Sequence, residues 1–328
     1  MVVSIRLPQY NESSTRRTRR STLWRLWTRY KKGWIIGVVL FVELVRFLLV
    51  FSRDDDARGQ WADKYVEGEE SENLGWGEEN LGREVRGVKR LVIVTCHAIW
   101  VGGIDGKNET EWMIEDFQTG EVDIYVRHIK AGVEAASEDA ESLLVFSGGE
   151  TKSAAGPLSE AESYYRLAHA LHLFTPALLP RTTTEIHARD SYQNLVFSIA
   201  RFHELTNTYP SSITLISHAF KEPRFLRNHL RAISYPEDKF QFIGIDPEEG
   251  VGDAVLKGEA RTRQVWDGDL YGCKSEGELR RKRQGRNPGR RWDGGYGVSC
   301  PELGELLAYC PSDGVSEFGG ELPWSESV

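Results

Sequence analysis

The chain has 328 residues, of which 40% are hydrophobic and 27% charged, so its composition is that of an ordinary globular protein. Residues 1–33 hold nine Lys or Arg and a single Glu, which leaves 32 basic and 48 acidic side chains for the rest of the chain. So acidic a body would repel phosphate backbones, and the composition therefore argues against a general nucleic-acid-binding protein.

An apolar run, WIIGVVLFVELVRFLLVF, occupies residues 34–51 after the basic tail at 1–33. As a helix it would be roughly 27 Å long, enough for a tilted bilayer crossing. Glu43 and Arg46 interrupt it, but their spacing places them on one face, where they can pair. A cleaved signal peptide lacks its small-residue cleavage pattern here, and apolar residues surround the helix, unlike in an amphipathic surface helix. We therefore predict a transmembrane anchor at 34–51.

The residues around this anchor predict its orientation. Basic residues precede it and three aspartates follow it at 54–56, which favours a cytoplasmic amino terminus. The main domain would then be luminal or extracytoplasmic, in the endomembrane system, and the sequon at Asn108 is compatible with that side. Residues 52–87 are acidic and Gly-rich without a periodic apolar pattern, and they predict a flexible linker.

From residue 88 the pattern alternates between short apolar runs and segments of helical spacing. Predicted strands lie at 91–96, 143–148, 183–188, 213–218 and 240–245, and predicted helices at 122–136, 159–174, 190–205 and 223–233. Ser159 and Asp190 provide helix-start chemistry. Strands that alternate with crossover helices predict a doubly wound α/β fold, a mainly parallel sheet between two helical layers, over residues 88–310.

Polar side chains collect at four of the predicted strand ends, where such sheets bind ligands. They are His97 after the first strand, Ser147, Gly148, Gly149 and Glu150 (then Glu160) after the second, Asp190, Ser191 and Asn194 after the third, and His218, Lys221 and Arg224 after the fourth. The two glycines could form a tight turn that needs positive φ, or their N–H groups could receive an anion. These residues predict a site for an anionic small molecule.

Specific chemistry is harder to assign. His218 could act as general base, with Asp190 or Glu150 orienting it and Ser147 or Ser217 as nucleophile, but no G-x-S-x-G elbow is present. His97, Asp190 and His218 could in principle hold a metal, yet no ligand-spacing motif supports one, and we predict none. The fingerprints of dinucleotide and P-loop sites are also missing. The cofactor and the oligomeric state remain open.

The carboxyl-terminal part holds a basic run and three of the four cysteines. Seven Lys or Arg within residues 280–291 read as a solvated surface run or a phosphate clamp. Four cysteines are too few for a disulfide framework, although Cys300 and Cys310 could bridge in an oxidising compartment or stay reduced. Residues 311–328 are predicted to form a tail.

Several motifs together resemble the YdcF/SanA-like family, the domain of unknown function 218, and its fungal branch more closely. They are VFSGG at 145–149, RDSYQN at 189–194, ISHAFKEPRF at 216–225 and the runs DLYGC at 269–273 and SCPEL at 299–303. The resemblance implies a Rossmann-like α/β/α sandwich and often an amino-terminal membrane helix. It implies site residues at Ser147, Gly148, Gly149, Glu160, Asn194, His218 and Arg224. At 96–98, Cys-His-Ala stands where bacterial members have a Gly-rich turn.

Two functions fit these observations. The first is a hydrolase or transferase that acts on an anionic, phosphorylated or nucleotide-like small molecule, with His218, Asp190 and His97 as catalytic groups. The second is a non-catalytic, membrane-tethered ligand-binding module that uses the same pocket. Neither function involves nucleic acid as a partner.

Overall fold

A computed structural model describes Val85, residues 87–286 and residues 294–325. The predicted basic tail, the predicted anchor at 34–51 and nearly all of the predicted linker lie outside these residues. Within the described part of the chain, no helix combines the length and apolar character that a membrane crossing requires.

A five-stranded parallel sheet forms the centre of the fold, in the order β5-β4-β1-β6-β7. Its strands are β1 (Arg90–Thr95), β4 (Ser142–Ser147), β5 (Thr182–Glu185), β6 (Ser212–Ser217) and β7 (Phe240–Gly244), and a short antiparallel pair is formed by β2 (Ile99–Trp100) and β3 (Trp112–Met113). The central strands are buried because their β-branched and apolar side chains face helices on both sides. The predicted mainly parallel α/β sheet is confirmed.

Helices cover both faces of this sheet. They are α1 (Val122–Glu138), α2 (Glu160–Ala170), α3 (Ser191–Thr206), α4 (Glu222–Arg224, continued by a π-helical segment at Phe225–Leu230), α5 (Asp253–Gly268), α6 (Glu278–Gly285), α7 (Tyr296–Ser299) and α8 (Gly304–Ala308). Ser159 and Asp190 accept hydrogen bonds from backbone N–H groups at 3.0 Å and cap α2 and α3, as predicted. The polar segments that form α5 and α6 were not predicted as helices.

Two apolar cores lie on opposite faces of the sheet. Tyr125 of α1 and Tyr164 of α2 pack in one core, and Leu195 and Phe202 of α3 pack in the other. The chain runs outward from β1 to β4 and β5, and then returns to place β6 on the other side of β1. The strand order therefore reverses between β1 and β6, which is the point where sheets of this type bind ligands.

The carboxyl-terminal segment departs from the prediction in two ways. Cys310 forms a disulfide with Cys273, whereas Cys300 is buried and its thiol donates to the Ala200 carbonyl of α3. A Cys300–Cys310 bridge was therefore the wrong pairing, because packing against α3 holds Cys300 elsewhere. The domain also continues beyond residue 310, since Trp324 is buried and its Nε1 donates to the Ile233 carbonyl at 2.8 Å.

Candidate functional site: a histidine-lined cavity at the strand-order reversal

A cavity of about 440 Å³ opens at the carboxyl ends of β1 and β6. The sheet contributes His97 and Ser217 to its wall, and α5 and α6 contribute Glu259 and Lys282. Because β1 and β6 are neighbours in register, the residues that follow them emerge side by side. Thr95 at the end of β1 donates to the Ser217 hydroxyl at 2.8 Å, which holds the two strand ends together.

Three histidines and one lysine form a cluster in this region. The His97 and His218 rings lie 4.6 Å apart, and His128 lies 4.9 Å from His218 and 5.6 Å from His97, measured between ring centroids. Lys221 Nζ donates to Nδ1 of His97 at 3.4 Å and to Nδ1 of His218 at 3.2 Å. We call these four residues the histidine–lysine cluster.

A short turn after β6 brings Lys221 back to His218. The chain forms a 3₁₀ turn at Ala219–Lys221 immediately after His218. The Ala219 N–H donates to the Asp246 carboxylate at 2.8 Å, which ties the turn to the end of β7. The third histidine, His128, comes from α1, and its Nε2 lies 3.1 Å from the Ile245 carbonyl.

Burial keeps the histidines neutral. It lowers the pKa of His97 and of His218 well below the usual value, and the nearby Lys221 charge lowers both further. Burial lowers the pKa of His128 to about 3. Burial and the Arg224 charge lower the pKa of Lys221 to about 7, so this amine exchanges a proton near neutral pH.

Cationic side chains line the wall beyond this cluster. Arg224 forms an ion pair with Glu259 at 3.0 Å, and both side chains are only 10% exposed. Lys282 and Arg286 extend the wall, and Nη1 of Arg286 donates to the Arg189 carbonyl at 2.6 Å. Behind the larger effect of burial, the Arg224 charge lowers the pKa of both Lys221 and His218, whereas nearby carboxylates, Glu259 first, raise the pKa of Lys221.

Acidic groups also line the cavity. Glu121 Oε2 is 3.7 Å from Nε2 of His218 and accepts a hydrogen bond from the Tyr125 hydroxyl at 2.8 Å. Glu160 is buried at the start of α2 and accepts from the Thr151 hydroxyl, and burial raises the pKa of its carboxyl group. Glu121 is thus the carboxylate beside His218.

Most of the predicted site residues meet at this cavity. The lining includes His97, Glu160, Asp190, Ser191, Asn194, His218, Lys221 and Arg224. Asp190, however, caps α3 and accepts a hydrogen bond from Nε of Arg283 at 2.5 Å. The carboxylate beside His218 is that of Glu121, whereas Asp190 was predicted to lie there. Burial would raise the pKa of Asp190, but the Arg283 charge and hydrogen bonds hold it below its usual value.

The turn after β4 differs from its predicted anion-binding arrangement. Ser147, Gly148, Gly149 and Glu150 are not among the described residues that line the cavity. The Gly148 N–H donates to the Glu185 carbonyl at 3.0 Å and the Gly149 N–H to the Ala188 carbonyl at 2.7 Å. The Ser147 hydroxyl donates to the Glu185 carboxylate at 2.9 Å. The N–H and O–H groups that were expected to bind an anion therefore already donate hydrogen bonds to carbonyl and carboxylate groups of the protein.

Close packing, rather than a special backbone conformation, explains the two glycines of this turn. Neither adopts the left-handed region. A Cβ on Gly148 would lie 2.9 Å from Cβ of Cys96, and one on Gly149 would lie 2.7 Å from the Ala188 carbonyl oxygen. The prediction of positive φ was therefore wrong. Glycine is required because the neighbouring atoms leave no room for a Cβ at these two positions.

Sequence reasoning missed His128 and Glu121 because neither follows a strand. Both belong to α1, with Glu121 as its amino-terminal cap and His128 two turns later. Together with Tyr125 they fall at a spacing of four and then three residues, which places them on one helix face. A polar stripe along an otherwise apolar face is the signal that could have identified them.

The fold and this site define an α/β protein with a ligand cavity at the strand-order reversal of a parallel sheet. The chain is similar to "Uncharacterized protein YOR238W" of Saccharomyces cerevisiae, with 28% identity over 296 residues that cover 72% of this chain and 97% of the relative. No family model and no solved structure matches the chain. Membership of the YdcF/SanA-like family remains a prediction.

Proposed function

We propose that the cavity binds an anionic small molecule, phosphorylated or nucleotide-like, and that the protein is a hydrolase or transferase acting on it. One observation carries this proposal: Lys221, Arg224, Lys282 and Arg286 all line one cavity of an otherwise acidic chain, alongside four carboxylates. Guanidinium and ammonium groups bind phosphate by charge-assisted hydrogen bonds. The same groups would stabilise charge that develops on a transferred phosphoryl or related group.

Proton transfer falls to Lys221 and His218 in this proposal. A general acid works best when its pKa is close to the working pH, and the pKa of Lys221 is about 7. His218 accepts a hydrogen bond from Lys221 through Nδ1, which holds the lysine amine in place for proton transfer to the substrate. Arg224 and Lys282 would hold the anion while it reacts.

Anion binding can be tested on the full chain in detergent, with ADP and inorganic phosphate as calorimetric probes. Lys282→Gln should weaken ADP binding about tenfold, because it removes one charged contact of about 1.4 kcal/mol. Arg280→Gln is the matched control, since Arg280 belongs to the same helix but is exposed and outside the cavity lining. Equal losses for the two variants, or no binding of either probe, would contradict the proposal.

A specific observation favours the second candidate, a non-catalytic ligand-binding module. Ser217 is 0% exposed and His218 2% exposed, so the groups that would attack a substrate are enclosed. Turnover assays with a panel of phosphate esters and nucleotides separate the candidates. Bound ADP that is never converted, with unchanged affinity in His218→Ala, would favour the binding module.

We further propose a membrane tether at 34–51 and membership of the YdcF/SanA-like family with its Rossmann-like fold. The apolar run and its basic flank support the tether. The ordered motifs from VFSGG to SCPEL support the family. Protease added outside sealed vesicles should spare a tag on the carboxyl terminus, and digestion of that tag from the cytosolic side would contradict the proposed topology.

A further inference from the structure

We propose that His97, His128 and His218 bind one divalent transition-metal ion of the Zn²⁺ class. One ring nitrogen of each histidine lies within 4.8 Å of a ring nitrogen of both others. The three residues come from the ends of two neighbouring strands and from the helix that packs on them, so rigid elements position all three. Three histidines with an open fourth position are the ligand set of many zinc sites that bind water or substrate.

Hydrogen-bond partners indicate which nitrogen of each ring carries the proton. A carbonyl can only accept, so the Ile245 carbonyl requires a proton on Nε2 of His128 and leaves a lone pair on Nδ1. Lys221 donates to Nδ1 of His97 and of His218, which places their protons on Nε2 as well. All three neutral rings therefore carry a lone pair on Nδ1.

One of these lone pairs has no partner. Nδ1 of His128 is buried, with no hydrogen-bond partner among the described residues, and the His128 side chain is 0% exposed. A buried polar atom without a partner destabilises the fold, because its lost hydration is not replaced. Lys221 donates to Nδ1 of His97 and of His218, which leaves Nδ1 of His128 as the buried ring nitrogen of the cluster with a free lone pair among the described residues.

Groups behind the rings resemble the outer shell of a metal site. Nε2 of His128 has the Ile245 carbonyl at 3.1 Å and Nε2 of His97 has the Ser217 hydroxyl at 3.4 Å. The Glu121 carboxylate lies 3.7 Å from Nε2 of His218, just beyond hydrogen-bond distance. Metal-binding histidines usually donate their second ring N–H to such carbonyl, hydroxyl or carboxylate groups. Imidazole nitrogen favours Zn²⁺, Cu²⁺, Fe²⁺ and Ni²⁺ over Mg²⁺ and Ca²⁺.

An ion bound to Nδ1 of His97 or His218 would displace Lys221, so the Lys221–His218 hydrogen bond used in the proposed function belongs to the metal-free protein. His97 and His218 also line the cavity, so the ion would face the bound anion and could polarise it or activate water. This catalytic consequence rests on the proposed function, but metal binding depends on the histidines alone. The two proposals can therefore fail separately.

Metal binding can be measured on the full chain in detergent after treatment with a chelator. We expect one Co²⁺ per chain, with the visible bands of a low-symmetry site, and displacement of Co²⁺ by Zn²⁺. His128→Asn should weaken Zn²⁺ binding at least about 100-fold, because it removes a direct ligand. His229→Asn is the matched control: His229 is also 0% exposed, with a partner on Nε2 and none on Nδ1, but it does not belong to the group of three histidines.

A second variant covers the case in which His128→Asn does not fold. Glu121→Gln keeps an acceptor for the Tyr125 hydroxyl and changes only the group behind His218, so Zn²⁺ affinity should fall about tenfold. Absence of stoichiometric binding, or equal affinity in His128→Asn and His229→Asn, would overturn the metal site. ADP binding without metal binding would contradict the metal site alone. Metal binding without ADP or phosphate binding would contradict the anion proposal alone.

Discussion

The turn after β4 and the turn after β6 both begin at a fully buried serine, Ser147 and Ser217, yet only the second opens into the cavity. After β4, Glu185 and nearby carbonyls accept the hydrogen bonds of the serine and of both glycines. After β6, the residues that follow the serine, His218 and Lys221, line the cavity wall. The comparison teaches that a polar strand end becomes a site only where neighbouring elements leave room for a ligand.

The largest expected effect on stability comes from an ion pair in the cavity wall. Arg224→Met leaves Glu259 buried without its partner and should lower the free energy of unfolding by about 3–5 kcal/mol. Arg201→Met is the control, because the Arg201–Glu204 pair is 33% and 22% exposed and should contribute about 1 kcal/mol or less. Urea unfolding monitored by circular dichroism measures both, and equal losses would mean that the cavity wall is as solvated as the surface.

At the turn after β4, Glu185 should make the stability of the protein depend on pH. Burial raises its pKa to about 7, so the unfolded chain loses this proton at a lower pH than the folded chain does. Stability should therefore fall by up to about 3 kcal/mol as the pH rises from 4.5 to 7. Glu185→Gln should flatten this part of the unfolding profile. An unchanged slope would show that Glu185 is ionised when folded.

A substitution at Gly149 tests whether the turn after β4 is closely packed. Gly149→Ala places a methyl group against the Ala188 carbonyl and should cost about 1–3 kcal/mol of unfolding free energy. Gly258→Ala is the matched control in α5, where a Cβ would meet nothing within 4 Å, and it should stabilise by about 0.5–1 kcal/mol. If both substitutions stabilise, the turn is not closely packed.

The smallest expected effect is the pH dependence of anion binding at Lys221. Its pKa of about 7 means that the amine is charged below that pH and neutral above it. Affinity for sulfate, whose charge is constant between pH 5 and 9, should decrease about tenfold as the pH rises through 7 in metal-free protein. Lys221→Met should bind sulfate more weakly and without this dependence, as measured by calorimetry. A dependence that survives in the variant would assign the titration to another group.

Much of the fold follows from local pattern. Apolar runs of five or six residues, separated by capped amphipathic helices, predict the parallel sheet, and Ser159 and Asp190 mark two helix starts correctly. Local pattern does not predict the helices α5 and α6, because their sequences are polar. Each helix has one buried residue, Trp266 in α5 and Leu279 in α6. Tertiary contacts, rather than a periodic apolar stripe, hold these two helices.

The sequence by itself determined the α/β class, the strands and the edge of the sheet where polar side chains gather, because these depend on short-range spacing of apolar residues. Only the tertiary structure decided which strand ends face a cavity, that Cys310 pairs with Cys273, and that His128 joins His97 and His218. Each of these is a contact between residues far apart in the chain. Such contacts depend on strand order and helix packing, which local spacing does not encode.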